Sequence, residues 1–344
     1  MSLRAGLILL LLTASLPAGD ALRLLSYSEY LDPLIVERYS ASQGVAVIND
    51  TYGSEDEMLA LLKNRGAGAF DLIIATDSAL STLRAMDLLQ PLDPARLPNA
   101  ANIDPQFARR PSDPEGRYSI PYFWGTVGLL YDTRRFSGPA QWSWILGPGE
   151  RPGRFVLIDE GRTALAVANL ARGAGINART APDLSANLAL FEASKTSAQF
   201  AGFMDGVNAR YQVQGGTLAA AIVYNGDAVL AIAEHPHLAY AIPAEGSQLW
   251  TDVLVIPRQG TRQAQAYAFL DHLLGATVAA QNATALKYAT PNRAALPLIP
   301  AEDRANPLIY PDAATLRRLH QLDDPGPQMR SLIATWSRIR GNGP

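Results

Sequence analysis

A chain of 344 residues, 48% hydrophobic and 18% charged, can bury two cores of roughly 150 residues each without a disulfide or a metal to hold them. Its 29 Lys and Arg against 32 Asp and Glu leave a net charge of −3, without the basic field that steers a polyanion, so nucleic-acid binding is not expected. The absence of cysteine removes thiol nucleophiles, iron–sulfur clusters, cysteine-based zinc sites and disulfides together.

Residues 1–21 carry one cation, Arg4, then an apolar run from Ala5 to Leu12, then a small-residue ending at Gly19-Asp20-Ala21. This is the three-part plan of a secretory signal peptide, with cleavage expected after Ala21. The apolar run is shorter than the ~18 residues that span a bilayer, so a soluble exported product is expected. Leu22–Ser26 then reads as a strand and Leu31–Ser42 as a helix, followed by a strand at Val45–Ile48 and a helix at Glu55–Lys63. Asp71–Ala75 (DLIIA) is a continuous apolar run of the kind a strand covered on both faces needs. The same alternation returns with a strand at Phe155–Ile158, helices near Thr163–Ala171 and Leu184–Thr196, and a strand at Leu218–Val223. Two α/β lobes follow. Pro91–Pro114 and Pro291–Pro311 read as ordered surface connections between elements.

Catalytic patterns are absent. There is no G-x-S-x-G elbow, no phosphate-binding G-x-x-x-x-G-K-[ST] and no G-x-G-x-x-G after a strand, and Gly66-Ala67-Gly68 precedes a strand as a tight turn would. The four histidines show no metal spacing, and His235-x-His237 lacks a third ligand nearby, so neither an enzyme nor a metal or cofactor site is expected.

Aromatic and acidic residues instead cluster at strand ends. Tyr27-Ser28-Glu29-Tyr30 follows the first strand, Thr76-Asp77-Ser78 the DLIIA strand, Asp159-Glu160 the FVLI strand and Tyr224-Asn225-Gly226-Asp227 the LAAAIV strand, while Trp250-Thr251-Asp252 opens VLVIP. Open α/β sheets place ligands outside the carboxyl ends of their strands. Taken together, the five places predict a cleft of π-faces and carboxylates, suited to a linear cation with a methylene body and ammonium ends.

At these residues the chain resembles the periplasmic spermidine/putrescine-binding proteins of ABC transporters, from Leu22 almost to the C-terminus. The resemblance is carried by Ser26-Tyr27-Ser28-Glu29-Tyr30, Thr51-Tyr52-Gly53-Ser54, Phe70-Asp71-Leu72, Tyr118-Ser119-Ile120-Pro121-Tyr122-Phe123-Trp124-Gly125, Tyr224-Asn225-Gly226-Asp227, Trp250-Thr251-Asp252 and Tyr288-Ala289-Thr290-Pro291-Asn292. It implies an α/β, two-lobed periplasmic-binding-protein fold of type II, each lobe a mostly parallel sheet flanked by helices, with the ligand cleft between lobes. The chain should cross between lobes near Trp124–Leu130 and Trp250–Ile256. Lobe 1 is then expected at residues 22–126 plus 254–300, and lobe 2 at 127–253 plus 301–344.

Carried over position by position, the resemblance implies an aromatic wall of Tyr27, Tyr30, Tyr224, Trp250 and Tyr288, with Tyr at 27 and 224 where the pattern usually has Trp. It implies acidic ligand contacts at Glu29, Asp227, Asp252 and Glu160, and small polar contacts at Ser28 and Thr76. Asp227 matches the acid of the putrescine-preferring branch. The departure is Thr163, which stands where the pattern has a second acid. Asp77, where the pattern is small and neutral, either replaces that charge or caps the following helix. The implied partners are a polyamine ligand and an inner-membrane ABC permease, and the implied state is a periplasmic monomer. Thr163 keeps open a different solute on the same scaffold, such as another amine, an amino-acid derivative or an iron complex. A polyamine-sensing receptor for a membrane signalling protein is a further alternative that sequence does not separate from transport.

Overall fold

The computed structural model describes residues 21–341, so the expected signal peptide lies outside the described residues except for Ala21. Ten strands run in chain order: β1 (Leu22–Tyr27), β2 (Val47–Tyr52), β3 (Leu72–Thr76), β4 (Ile120–Asp132), β5 (Phe155–Ile158), β6 (Phe200–Met204), β7 (Ala220–Tyr224), β8 (Leu238–Ala241), β9 (Ser247–Val255) and β10 (Leu319–His320). They form one curled sheet in the order β2-β1-β3-β9-β4-β7-β5-β6, with β8 beside β4 and β10 beside β9.

The apolar runs behave as doubly covered strands. In β1 and β3, Leu22, Leu24, Leu72 and Ile74 join one core, while Leu25, Ile73 and Ala75 join a second core on the opposite face. In β5 and β7, Phe155, Leu157, Ala220 and Ile222 face the first core, whereas Val156, Ala221 and Val223 face a third. Successive side chains point to opposite faces, so a strand with helices on both sides has no polar stripe.

Each half of the sheet is built on three parallel strands, β2-β1-β3 and β7-β5-β6. The antiparallel strands β4 and β9 join the halves. β4 pairs with β9 over Ile120–Thr126 and with β7 from Val127 onward, so its partner changes at Thr126/Val127. β9 pairs with β4 over Leu249–Leu254 and with β3 over Asp252–Val255. The result is a two-lobed α/β molecule in which two strands pass between lobes.

Helix starts follow local chemistry. Asp32 caps the helix Pro33–Gln43 by accepting from Leu34 N at 3.0 Å, Ser54 caps Glu55–Arg65, Asp205 caps Gly206–Gln214, and Thr180 with Asp183 forms a capping box for Ala181–Lys195. The connection expected over Pro91–Pro114 contains 3₁₀ turns and a short helix, Pro105–Ala108, and that over Pro291–Pro311 contains the helix Ala301–Ala305. The last helix, Met329–Arg340, packs on the second half through Trp336, whose ring meets Phe191 and Phe203 at 6.0 and 5.2 Å between centroids.

Candidate functional site

Strand-to-helix junctions from both halves open on one cleft. β1 ends at Tyr27, and Ser28 and Tyr30 follow in its loop. β3 ends at Thr76, whose Oγ1 accepts from Ala79 N at 3.1 Å and so starts the helix Asp77–Ala85. Glu160 after β5 and Tyr224 ending β7 stand at the N-caps of Gly161–Ala171 and Asn225–Glu234, placing Asp227 in the first turn of the second. Trp250 and Asp252 come from the joining strand β9, and Tyr288 from the segment after the helix Ala276–Leu286. These ten of the twelve residues expected at the site line the same cleft.

Buried and half-buried rings form its walls. Tyr30 meets Tyr27 at 5.8 Å and Tyr288 at 5.5 Å, Trp250 meets Tyr288 at 5.2 Å with the planes at 82°, and Tyr224 meets Trp250 at 5.8 Å with the planes at 81°. Such edge-to-face contacts fix ring orientation beyond what burial alone does. Two glycines allow the approach. A Cβ on Gly125 would run into Asn225 Oδ1 and the Trp250 ring, and one on Gly226 would run into the Tyr288 ring. Burial holds the phenols of Tyr27, Tyr30, Tyr224 and Tyr288 well above their ordinary pKa, so they stay neutral.

The acids divide into compensated and uncompensated. Asp252 is 5% exposed, and burial pushes it up to about 7 against the hydrogen bond that its Oδ2 accepts from Tyr30 Oη at 2.6 Å. Burial, then the negative charge of Glu55, raises Glu160 well above the carboxylate range, and among the described residues its carboxylate accepts one hydrogen bond, from Glu55 N at 2.9 Å in the opposite half. Among the described residues no ion pair engages either Asp252 or Glu160. Asp227 is also raised by burial, to about 6, but Arg210 Nη1 donates to its Oδ1 at 3.1 Å and Tyr288 Oη to its Oδ2 at 3.3 Å. The helix N-termini beside Glu160 and Asp227 favour negative charge there by about 0.3–1 kcal/mol each.

Two expected residues are placed elsewhere. Glu29, at a left-handed φ of 52°, points out of the cleft, where Arg210 Nη2 and Tyr211 Oη donate to its carboxylate at 2.6 and 2.7 Å. Burial raises its pKa, but these two donors outweigh that and hold it below its ordinary value. Asp77 is bound by Arg110 Nε at 2.6 Å and by the Ser112 hydroxyl, on the side of the Pro91–Pro114 connection. It does not replace the acid missing at Thr163, and the cap of its helix is Thr76.

Other lining residues were not foreseen. Glu55 faces the cleft with its Oε2 taking the hydroxyls of Thr76 and Ser78 at 3.1 and 3.2 Å. Burial raises its pKa, with the positive charge of Arg162 opposing. The signal for Glu55 was its position after the second strand and its Tyr-Gly word. Gln248 shares one face of β9 with Trp250 and Asp252, which the two-residue strand period announces; it is 6% exposed and its Oε1 has no hydrogen-bond partner among the described residues. Arg162, whose Nη1 reaches Ser78 O at 3.3 Å and Nη2 Asp323 O at 2.6 Å, gave no signal.

Two α/β lobes joined by two crossing strands, with a ligand-sized cleft between them, have the periplasmic-binding-protein fold. The chain belongs to the bacterial extracellular solute-binding protein family, whose model matches residues 35–308. It is similar to the spermidine/putrescine-binding periplasmic protein of Escherichia coli K12, at 29% identity over 310 residues covering 90% of this chain and 88% of the relative. The putrescine/agmatine-binding protein of Pseudomonas aeruginosa is 26% identical over 344 residues, covering 94% and 92%. Among solved structures, the putative spermidine/putrescine ABC transporter protein from Listeria monocytogenes matches with a TM-score of 0.85 at 27% identity, covering 93% of this chain and 99% of that one.

Proposed function

We propose that the protein captures polyamines of the putrescine/spermidine type in the periplasm and presents them to the inner-membrane permease of an ABC transporter, the lobes closing on the ligand as a monomer after removal of residues 1–21. The observation that carries this is the pair Glu160 and Asp252, buried between walls of aromatic rings without a cationic partner among the described residues. An ammonium that reaches each carboxylate restores the interaction lost to burial, and the methylenes between them lie on ring faces.

The ligand contacts are assigned to Tyr27, Ser28, Tyr30, Thr76, Glu160, Tyr224, Asp227, Trp250, Asp252 and Tyr288, with Gln248 Oε1 as a further acceptor. Lobe 1 comprises residues 22–126 plus 254–300 and lobe 2 residues 127–253 plus 301–344; the partner change of β4 at Thr126/Val127 and the packing of Trp336 on Phe191 and Phe203 support this division. Names of relatives that match 90% and 94% of the chain point the same way.

Calorimetric titration of the mature protein with putrescine, spermidine and the neutral analogue 1,4-butanediol tests the assignment. Saturable binding of an amine and none of the diol is expected. Equal binding of the diol, or no binding of either amine, overturns it.

A further inference from the structure

We propose that Glu55 and Glu160, carried by opposite halves of the molecule, act as one site for a primary ammonium, which makes Glu55 a ligand-gripping residue; the proposal rests on the polyamine assignment and deepens it. Each acid stands at the start of a helix. Glu55 opens Glu55–Arg65 after β2, and Glu160 is the N-cap of Gly161–Ala171 after β5. The two helix starts meet where Glu55 N donates to Glu160 Oε2 at 2.9 Å, and both acids line the cleft at 5% and 6% exposure. Glu55 Oε2 is taken by the Thr76 and Ser78 hydroxyls. That leaves Oε1 of Glu55 and Oε1 of Glu160, neither of which accepts a hydrogen bond among the described residues.

Arg162 lines the same space, but its guanidinium donates to Ser78 O at 3.3 Å and Asp323 O at 2.6 Å and pairs with neither acid among the described residues. The other acids of the lining are engaged differently. Asp205 accepts from Asn208 through both oxygens, Asp227 from Arg210 and Tyr288, and Asp252 from Tyr30. Two carboxylates that face each other in a buried site hinder each other's ionisation, which is the direction seen at Glu160, raised by burial and then by Glu55. An ammonium has three N–H donors and serves both open oxygens at once, each bond charge-assisted. Empty, the pair opposes the approach of the two halves; filled, it joins them.

The test measures putrescine affinity by calorimetry, and the melting temperature of the empty protein at pH 8, in the wild type, Glu55→Gln, Glu160→Gln and the double variant. Glutamine keeps an acceptor for the Thr76 and Ser78 hydroxyls and removes the charge. Each single variant is expected to bind putrescine at least tenfold more weakly and to melt no lower than the wild type when empty. Residues that grip one ammonium are not independent, so the cost of Glu55→Gln should differ at least threefold between the wild-type and Glu160→Gln backgrounds. Unchanged affinity in Glu55→Gln, or costs that multiply as for separate sites, overturns the shared site and leaves the polyamine assignment standing. So does a Glu55→Gln protein that melts lower or does not fold, since Glu55 then serves to hold Thr76 and Ser78. No binding of putrescine or spermidine by the wild type overturns the polyamine assignment itself.

Discussion

Asp252 shows how one buried carboxylate links stability, pH and ligand. Burial takes it from 3.8 to about 7, so the empty folded protein keeps a proton that the unfolded chain releases near pH 4. The stability contributed by this retained proton is present below the unfolded value and is lost as pH rises through about 7; Asp227 adds the same effect through about 6. For Asp252 the loss is at most about 4 kcal/mol. The ligand-free protein is therefore expected to melt at a higher temperature at pH 5.5 than at pH 8, and a flat profile in differential scanning calorimetry would remove the effect. An ammonium needs the ionised form, so amine affinity should fall below pH 7, and binding at pH 6.5 should release protons, which titrations in two buffers of different ionisation heat measure. Asp252→Asn removes the charge. It is expected to raise the melting temperature of the empty protein at pH 8 while weakening amine binding at least tenfold, about 1.4 kcal/mol; unchanged affinity would exclude Asp252 as the anchor. At the ring wall, Tyr224→Ala should cost about 1 kcal/mol of amine binding while Tyr224→Phe keeps the π-face and most of the affinity. Equal loss in both variants would argue against the cation–π contact.

At the scale of elements, legibility followed burial. β1, β3, β5 and β7 were readable because strands covered on both faces are continuous apolar runs, and their carboxyl ends located Tyr27, Thr76 and Tyr224 within a residue or two. The joining strand β4 was foreseen only as a crossing, by resemblance, since Ile120–Asp132 mixes Pro, Gly, Trp and Thr without a two-residue alternation. The helix Gly206–Gln214 was missed because its apolar residues show no clear stripe, and with it went Arg210. Nothing local in the sequence tells that Arg210 meets Glu29, 181 positions away, so Glu29 read as a free acid at the cleft. The helix start at Asn225-Gly226 positions both Tyr224 and Tyr288. Asn225 Oδ1 accepts from Thr126 N at 3.0 Å, its Nδ2 donates to Leu308 O at 2.9 Å, and Gly226 leaves room for the Tyr288 ring. Gly226→Ala is expected to destabilise the protein by about 1–3 kcal/mol in urea unfolding and to weaken amine binding as the ring is displaced. Wild-type behaviour in both measurements would show that the ring yields without cost.

At the scale of the whole molecule, three polar contacts reach from one half to the other: Glu55 N to Glu160, Arg162 to Ser78 O and Arg210 to Glu29. A ligand shifts the balance between open and closed forms only by its difference in affinity for them, and on the proposed assignment Glu160 and Asp252 would supply that difference, both being served together when the lobes meet. Putrescine at saturation should therefore reduce the radius of gyration measured by small-angle X-ray scattering, and the same concentration should produce less contraction in Asp252→Asn. An unchanged radius in the wild type would mean that the lobes do not move on binding.

Gln248, Trp250 and Asp252 occupy one face of β9, the strand that also runs from one lobe into the other. On the proposed site, grip and pivot are thus cut from the same piece of backbone. Any exchange of side chains along this strand that changes what the protein holds also changes how readily it shuts and how quickly it lets go, so a lineage adapting to a new cargo through β9 would adjust its delivery rate in the same stroke.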